Sequence, residues 1–255
     1  MTGARAGDFD YERHGHGYPS HRRTDPRIAE AIEAALGDAR TVLNVGAGAG
    51  SYEPEGRHVV AVEPSPTMRA QRPPHLAPAI DAVAEALPFD DRSVDAAMAV
   101  SSIHQWPDAE RGLRELRRVA RGPVVILTFD PDAIVRFWLA DYMPEVVELE
   151  SRRVPRIGRV RRALGPRTEV RVVPVPADCL DGFTEAFYAR PEKFLEDEVR
   201  ASQSVWGFVD SEVEARFLRQ LRADLSSGAW DERYGALRSL PAYEGALRLV
   251  VGHPY

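Results

Sequence analysis

A single cysteine, Cys179, is present among 255 residues. That excludes an internal disulfide and any cysteine-based zinc cage, and it suits a reducing cytoplasm. Lysine is as scarce: Lys193 is the only one among the basic residues, a matter of codon usage rather than chemistry. No apolar run approaches the length of a membrane span, and the stretch from Met1 to His14 lacks the apolar core of a secretion signal. Positive charge is not in surplus either. The net charge of −6 argues against general affinity for nucleic acid or an anionic membrane. No repeat is visible. What is present is ordinary for a globular chain, 44% hydrophobic and 28% charged. The length allows a real core in one domain with a substantial insertion.

The stretch around which the rest is organised is Thr41-Val-Leu-Asn-Val-Gly-Ala-Gly-Ala-Gly-Ser51. Thr41 to Val45 reads as a buried strand, emptying into Gly46, Gly48 and Gly50, which can take positive φ and leave no Cβ between backbone and ligand. A second apolar run, His58 to Val62, ends on Glu63. Such a layout places a nucleotide-type site at the carboxyl ends of parallel strands, with a carboxylate set to accept bonds from a ribose diol. The glycine spacing departs from a dinucleotide fingerprint, whose third glycine would fall at Ser51, and the loop lacks the Lys–Ser/Thr pair of a triphosphate site.

The remaining elements follow from capping and periodicity. Asp25-Pro26 opens a helix that Gly37 stops. The link from Gly46 to Arg57 is near the minimum for a parallel crossover and leaves room for a helix of only a turn or two. A short helix follows Pro64. Strands are expected at about 79–83 (weak), 94–100, 124–129, 169–175 and 246–251, with a helix over Asp108 to Ala120. Strands alternating with helices at this spacing predict an α/β, doubly wound, mostly parallel sheet.

The ordered series VLNVGAGAG, VVAVEPSPTM, AEALPFDDRSVDAAMAVSSIHQWPD and VVILTF resembles the class I S-adenosylmethionine-dependent methyltransferases of the small-molecule, methyltransferase-domain-11-like type, over roughly residues 10–130. The resemblance implies a Rossmann-like sheet of seven strands, the last antiparallel, with helical cap insertions. It also implies S-adenosylmethionine as cofactor and S-adenosylhomocysteine as product. The implied cofactor residues are Asn44, Gly46, Ala47, Gly48 and Gly50 on the loop, then Glu63, Pro64, Ser65 and Met68, with Glu63 on the ribose and Met68 on the adenine face. Ala84 and Glu85 serve the adenine edge, and Ser101 and Ser102 the methionine end. Two departures stand out: Asn44 replaces the commoner aspartate, and Val83 the acid usually paired with the adenine amino group. Tyr11, Tyr18 and Arg22, with Arg23 as the alternative to Arg22, resemble lid residues reaching the cofactor carboxylate; arginine suits a carboxylate because it can bind both oxygens.

His104 is the candidate catalytic residue, as a general base or substrate orienter, because imidazole titrates near neutrality. The alternative is a structural residue bonding the glycine loop, since aligned methyl transfer need not use a protein base. No metal site is expected: the histidines at 14, 16 and 21 have no carboxylate or cysteine to complete a ligand set. The expected organisation is an arm or lid over 1–24 and a cofactor-binding core over 25–131. Residues 132–255 complete the sheet and carry cap insertions at about 132–165 and 178–242. The cap aromatics are mostly core, with some lining the pocket that the cofactor methyl faces. The arginine run from Arg152 to Arg167 is a solvated helix and loop rather than an RNA patch. The function expected is methyl transfer to an O, N or C nucleophile of a small molecule or peptide in bacterial specialised metabolism. The protein would be a cytoplasmic monomer or homodimer without nucleic-acid or membrane partners. The alternatives are a non-catalytic adenosine-ligand-binding protein or an NAD-type oxidoreductase.

Overall fold

The computed structural model describes residues 22–254. Helix α1 (Pro26–Leu36) begins where Asp25 accepts the Arg27 N–H and ends at Gly37, whose φ is +56°. Strand β1 (Thr41–Val45) pairs in parallel with β2 (His58–Val62) on one side and with β3 (Ala96–Val100) on the other. The short helix α2 (Pro66–Ala70) follows β2, and α3 (Ala109–Val119), capped by Asp108, leads into β4 (Val124–Phe129). Helices α4 (Pro131–Ile134), α5 (Pro144–Arg153) and α6 (Ile157–Leu164) precede β5 (Thr168–Val172) and the two-residue β6 (Val175–Pro176). Helices α7 (Asp197–Ala201), α8 (Ser211–Ser227) and α9 (Ala229–Tyr234) lie before the short β7 (Ala242–Tyr243) and the final β8 (Leu247–Gly252).

The main sheet has the order β2-β1-β3-β4-β8-β5, with β8 antiparallel to both neighbours. Its central strands are buried on both faces, which explains their continuous apolar sequences. Alternate residues divide between two cores. Val42, Ala96, Met98, Val125 and Leu127 join Ile28, Ile32 and Leu36 of α1. Leu43, Val45, Ala97, Ala99, Val124 and Ile126 join Leu113, Leu116 and Val119 of α3 and Val160 and Leu164 of α6.

The sheet is a mostly parallel Rossmann-like layer with an antiparallel last strand, as expected, but it has six strands rather than seven. The weak strand anticipated at 79–83 is reduced to one parallel bridge between Val62 and Ile80. Two features stop it from extending on its N-terminal side. Pro78 lacks an N–H, and the Ala77 carbonyl is taken by the Arg72 guanidinium at 3.0 and 2.8 Å. The last strand also does not end the sheet: β8 inserts between β4 and β5. The 46–57 crossover contains no helix, being a run of turns with Tyr52 and Gly56 at positive φ.

Beyond the sheet, the first core continues into an aromatic cluster centred on Trp138. Its ring meets Tyr142, Phe194 and Trp230 edge-on, and its indole N–H donates to the Tyr188 carbonyl at 3.1 Å. Most of the aromatics anticipated in the insertions are buried here; Phe208 is exposed.

Candidate functional site

Because β1 lies between β2 and β3, the crossovers leave it in opposite directions and open a crevice at its carboxyl end, where ligands bind in such sheets. A cavity of about 990 Å³, measured with its open mouth, occupies that position. The glycine loop forms its floor. The Gly46 and Ala47 N–H groups donate to the Val62 carbonyl at 2.9 and 3.0 Å, tying the loop to the end of β2. Gly46 has φ +69°, and a Cβ there would fall 2.7 Å from the Ser102 Cβ, so the position admits no other residue without movement.

Glu63 is held opposite the loop. One carboxyl oxygen accepts the Gly48 N–H and the other the Ser65 N–H, both at 2.9 Å. Its side chain is almost wholly buried, and burial pushes its carboxyl upward while those two N–H groups oppose the shift. Each carboxyl oxygen retains a second lone pair for a ligand hydroxyl. Met68, also buried, lies on the same wall.

Behind the loop, Asn44 donates to Glu53 at 3.1 Å, and Glu53 receives Arg72 through both oxygens at 2.9 Å. This ion pair is nearly inaccessible, with side-chain exposures of 3% and 2%. Asn44 lies at the base of the cavity, and its amide oxygen is buried with no protein partner, an acceptor left to be satisfied.

A second arrangement closes the crevice from the far side. Arg22 donates from Nε to Asp181 at 2.6 Å, and the Tyr52 hydroxyl donates to the other oxygen of Asp181 at 3.1 Å. Tyr52 itself sits at φ +62°. Burial, reinforced by the Asp181 charge, raises its phenol far above the ordinary range, so it stays protonated. Arg22 is the expected clasp for the cofactor carboxylate. It lines the cavity, but its guanidinium is already engaged with Asp181.

Of the other expected residues, Asn44, Gly46, Ala47, Gly48, Glu63, Pro64, Met68, Ala84, Glu85, Ser101 and Ser102 come together on this cavity wall. Gly50 and Ser65 do not. A Cβ at Gly50 would strike Leu76 and approach Arg72, so that glycine serves packing behind the loop. Ser65 caps α2 through the Met68 N–H. Tyr11 and Tyr18 lie outside the described residues. The wall also includes Ser51, Tyr52, Gln105, Trp106, Pro107 and Asp181. Asp181 had no local signal, being 129 residues from the Tyr52 it bonds.

His104 faces an adjoining cavity of about 440 Å³, again measured with its open mouth. That cavity shares Ser101 and Arg22 with the first and adds Phe129, Glu150, Phe183, Thr184 and Gln203. Ser101 has φ +48°, a costly conformation for a serine. It stands at the junction between the two spaces. Among the described residues no group of three His, Cys, Asp or Glu is placed to hold a metal ion, and no helix is long and apolar enough to cross a membrane.

Comparisons with known proteins identify the family. The methyltransferase-domain family profile matches residues 43–126. The chain is 32% identical to a putative methyltransferase from an antibiotic biosynthesis pathway of Anabaena variabilis. Its crystal structure superposes with a TM-score of 0.85 over 92% of this chain and 99% of that one. A SAM-dependent methyltransferase of Thermotoga maritima, described as a possible histamine N-methyltransferase, shares the fold at 17% identity and a TM-score of 0.53, over 89% of this chain and 87% of that one. An uncharacterized methyltransferase of Mycobacterium tuberculosis is 41% identical over 101 residues, 36% of this chain and 40% of that protein. The match therefore spans less than half the length of that curated relative.

The chain belongs to the class I S-adenosylmethionine-dependent methyltransferase family. S-adenosylmethionine is the cofactor of that family, and the crevice fits it: a loop stripped of side chains, a buried carboxylate with spare lone pairs, and an unpartnered amide oxygen.

Proposed function

We propose that the chain transfers the methyl group of S-adenosylmethionine to an O, N or C nucleophile of a small molecule or peptide, in bacterial specialised metabolism. The observation that carries this reading is the meeting of two cavities at Ser101, one with the glycine floor and Glu63, the other lined by His104 and aromatic rings. The bound cofactor supplies an activated methyl on a sulfonium. The chain's own contribution is alignment: the loop and Glu63 fix the adenosyl end, and the Ser101 junction sets where the acceptor approaches. Asn44 offers its amide oxygen to the cofactor's amino acid end. His104, on the acceptor side, would orient the nucleophile or remove its proton. The reaction would take place in the cytoplasm, which the buried free thiol of Cys179 suits.

Calorimetric titration with S-adenosylhomocysteine tests the cofactor half of the reading. The wild-type chain should bind at micromolar level, about −8 kcal/mol. Glu63→Ala removes a charged acceptor and should weaken binding by about 2 kcal/mol, roughly thirtyfold. Equal affinity in both proteins would refute the assignment of Glu63.

A further inference from the structure

The adjoining cavity does not end at His104. Phe129, Glu150 and Thr184 also line a deeper, narrow space with room for about one water-sized group, together with Ile134, Phe137, Val147 and Glu185. Two carboxyl groups therefore face one apolar interior. Glu185 is 4% exposed; one of its oxygens accepts the Ala246 N–H at 2.7 Å, and the other, Oε1, has no hydrogen-bond partner. Glu150, half-buried, receives among the described residues only the Thr184 hydroxyl, at 3.3 Å, and that hydroxyl has a better partner in the Gln203 amide oxygen at 2.7 Å. Arg153 and Arg22 line the adjoining cavity, and their charges favour the Glu150 carboxylate without forming an ion pair with it. Among the described residues no arginine, lysine or histidine forms an ion pair with either glutamate, although the surrounding surface is laced with such pairs. Burial raises both carboxyls, Glu185 to about 7. A buried carboxyl without a cationic partner is costly, and the cost falls when a positive group is brought between two of them.

We propose that this deep end recognises a protonated amine: the methyl acceptor carries an ammonium group that lodges between Glu150 and Glu185, against the tilted Phe129–Phe183 ring pair, whose centroids are 5.5 Å apart. Two carboxylates and the faces of aromatic rings attract a cation together. An ordinary divalent metal is the poorer occupant, since the described residues offer no third ionisable ligand there. The ammonium is an anchor, not the methylated atom. A protonated nitrogen has no lone pair to attack a sulfonium, so the nucleophile is a second group on the same molecule, reaching back toward Ser101 and His104. This inference rests on the methyltransferase reading of the two cavities.

The test uses the full chain saturated with S-adenosylhomocysteine and three probes of one size: tyramine, its alcohol analogue tyrosol, and its carboxylate analogue hydroxyphenylpropionate. Calorimetry should give tyramine at least roughly tenfold tighter binding than tyrosol, with the carboxylate weakest. Glu150→Gln and Glu185→Gln should each remove most of the amine preference while leaving tyrosol and S-adenosylhomocysteine affinities unchanged, the latter reporting an intact fold. The inference is overturned if tyrosol binds as well as tyramine. It is also overturned if none of the three binds at millimolar concentration while S-adenosylhomocysteine does, or if both glutamine variants keep the preference. Failure of S-adenosylhomocysteine itself to bind would instead sink the methyltransferase reading, and this inference with it.

Discussion

The two cavities that meet at Ser101 are built in different ways. The cofactor side is assembled largely from neighbours in sequence: the Gly46–Gly48 floor, Glu63 fifteen residues beyond Gly48, and the Ser101–Ser102 strand end. The cavity on the His104 side draws Phe129, Glu150, Phe183, Glu185 and Gln203 from separate segments, held in place by a cap whose core is the Trp138 cluster. The first depends on backbone conformation and a single carboxylate. The second depends on long-range packing and on buried charge. Mutations should therefore separate cofactor affinity from cap stability.

The largest effect should come from Trp138→Ala. Removing a buried indole that touches three aromatic rings is expected to cost about 3–5 kcal/mol of stability. Below the lowered unfolding temperature, affinity for S-adenosylhomocysteine should change less than roughly threefold. A parallel collapse of that affinity would break the separation.

The second effect is pH-dependent. Burial, reinforced by the nearby Glu150 and opposed by the Ala246 N–H and the charges of Arg248 and Arg136, sets the Glu185 carboxyl at about 7 against an ordinary 4.5. Between those values the folded chain holds the proton longer than the unfolded chain. The Glu185 contribution to stability therefore falls as pH rises from 4.5 to about 7. The change is on the order of 3 kcal/mol. Thermal unfolding across that window should show a slope in the wild-type chain that Glu185→Gln flattens; identical slopes would place the buried charge elsewhere.

A smaller effect sharpens the cofactor side. Gly46→Ala imposes positive φ on an alanine and sets its Cβ 2.7 Å from Ser102, and S-adenosylhomocysteine binding should weaken by about 2 kcal/mol. The control is Gly37→Ala at the end of α1, also at positive φ but with nothing within 4 Å. It should lose about 1 kcal/mol of stability and no cofactor affinity. Equal behaviour of the two variants would mean that the loop tolerates a side chain facing the ligand.

The same contrast explains what could be read from the sequence. The lining of the crevice above β1 was legible because its signals are local: glycines at a strand end, an acid at the next strand end, and side-chain N-caps before α1, α2 and α3. Gly50 and Ser65 were drawn in by proximity to those signals, yet one packs against Leu76 and the other caps α2. The third strand failed for a reason equally local but easily overlooked, the capture of the Ala77 carbonyl by Arg72 beside Pro78. Asp181 and the Glu150–Glu185 pair carried no pattern at all. Their roles come from residues brought together across more than a hundred positions in one case, and from separate segments lining one cavity in the other. Phe129 and Phe183 likewise line the cavity beside His104, whereas most of the cap aromatics singled out beforehand are packed into the core.

The central claim is that the crevice above β1 and β3 holds the adenosyl cofactor between the glycine floor and Glu63. A crystal structure of the chain with S-adenosylhomocysteine tests it most directly. The ribose hydroxyls should lie within hydrogen-bond distance of Glu63, the adenine against Met68 and the sulfur toward Ser101. Ligand density elsewhere, or none in that crevice at saturating concentration, would contradict the account.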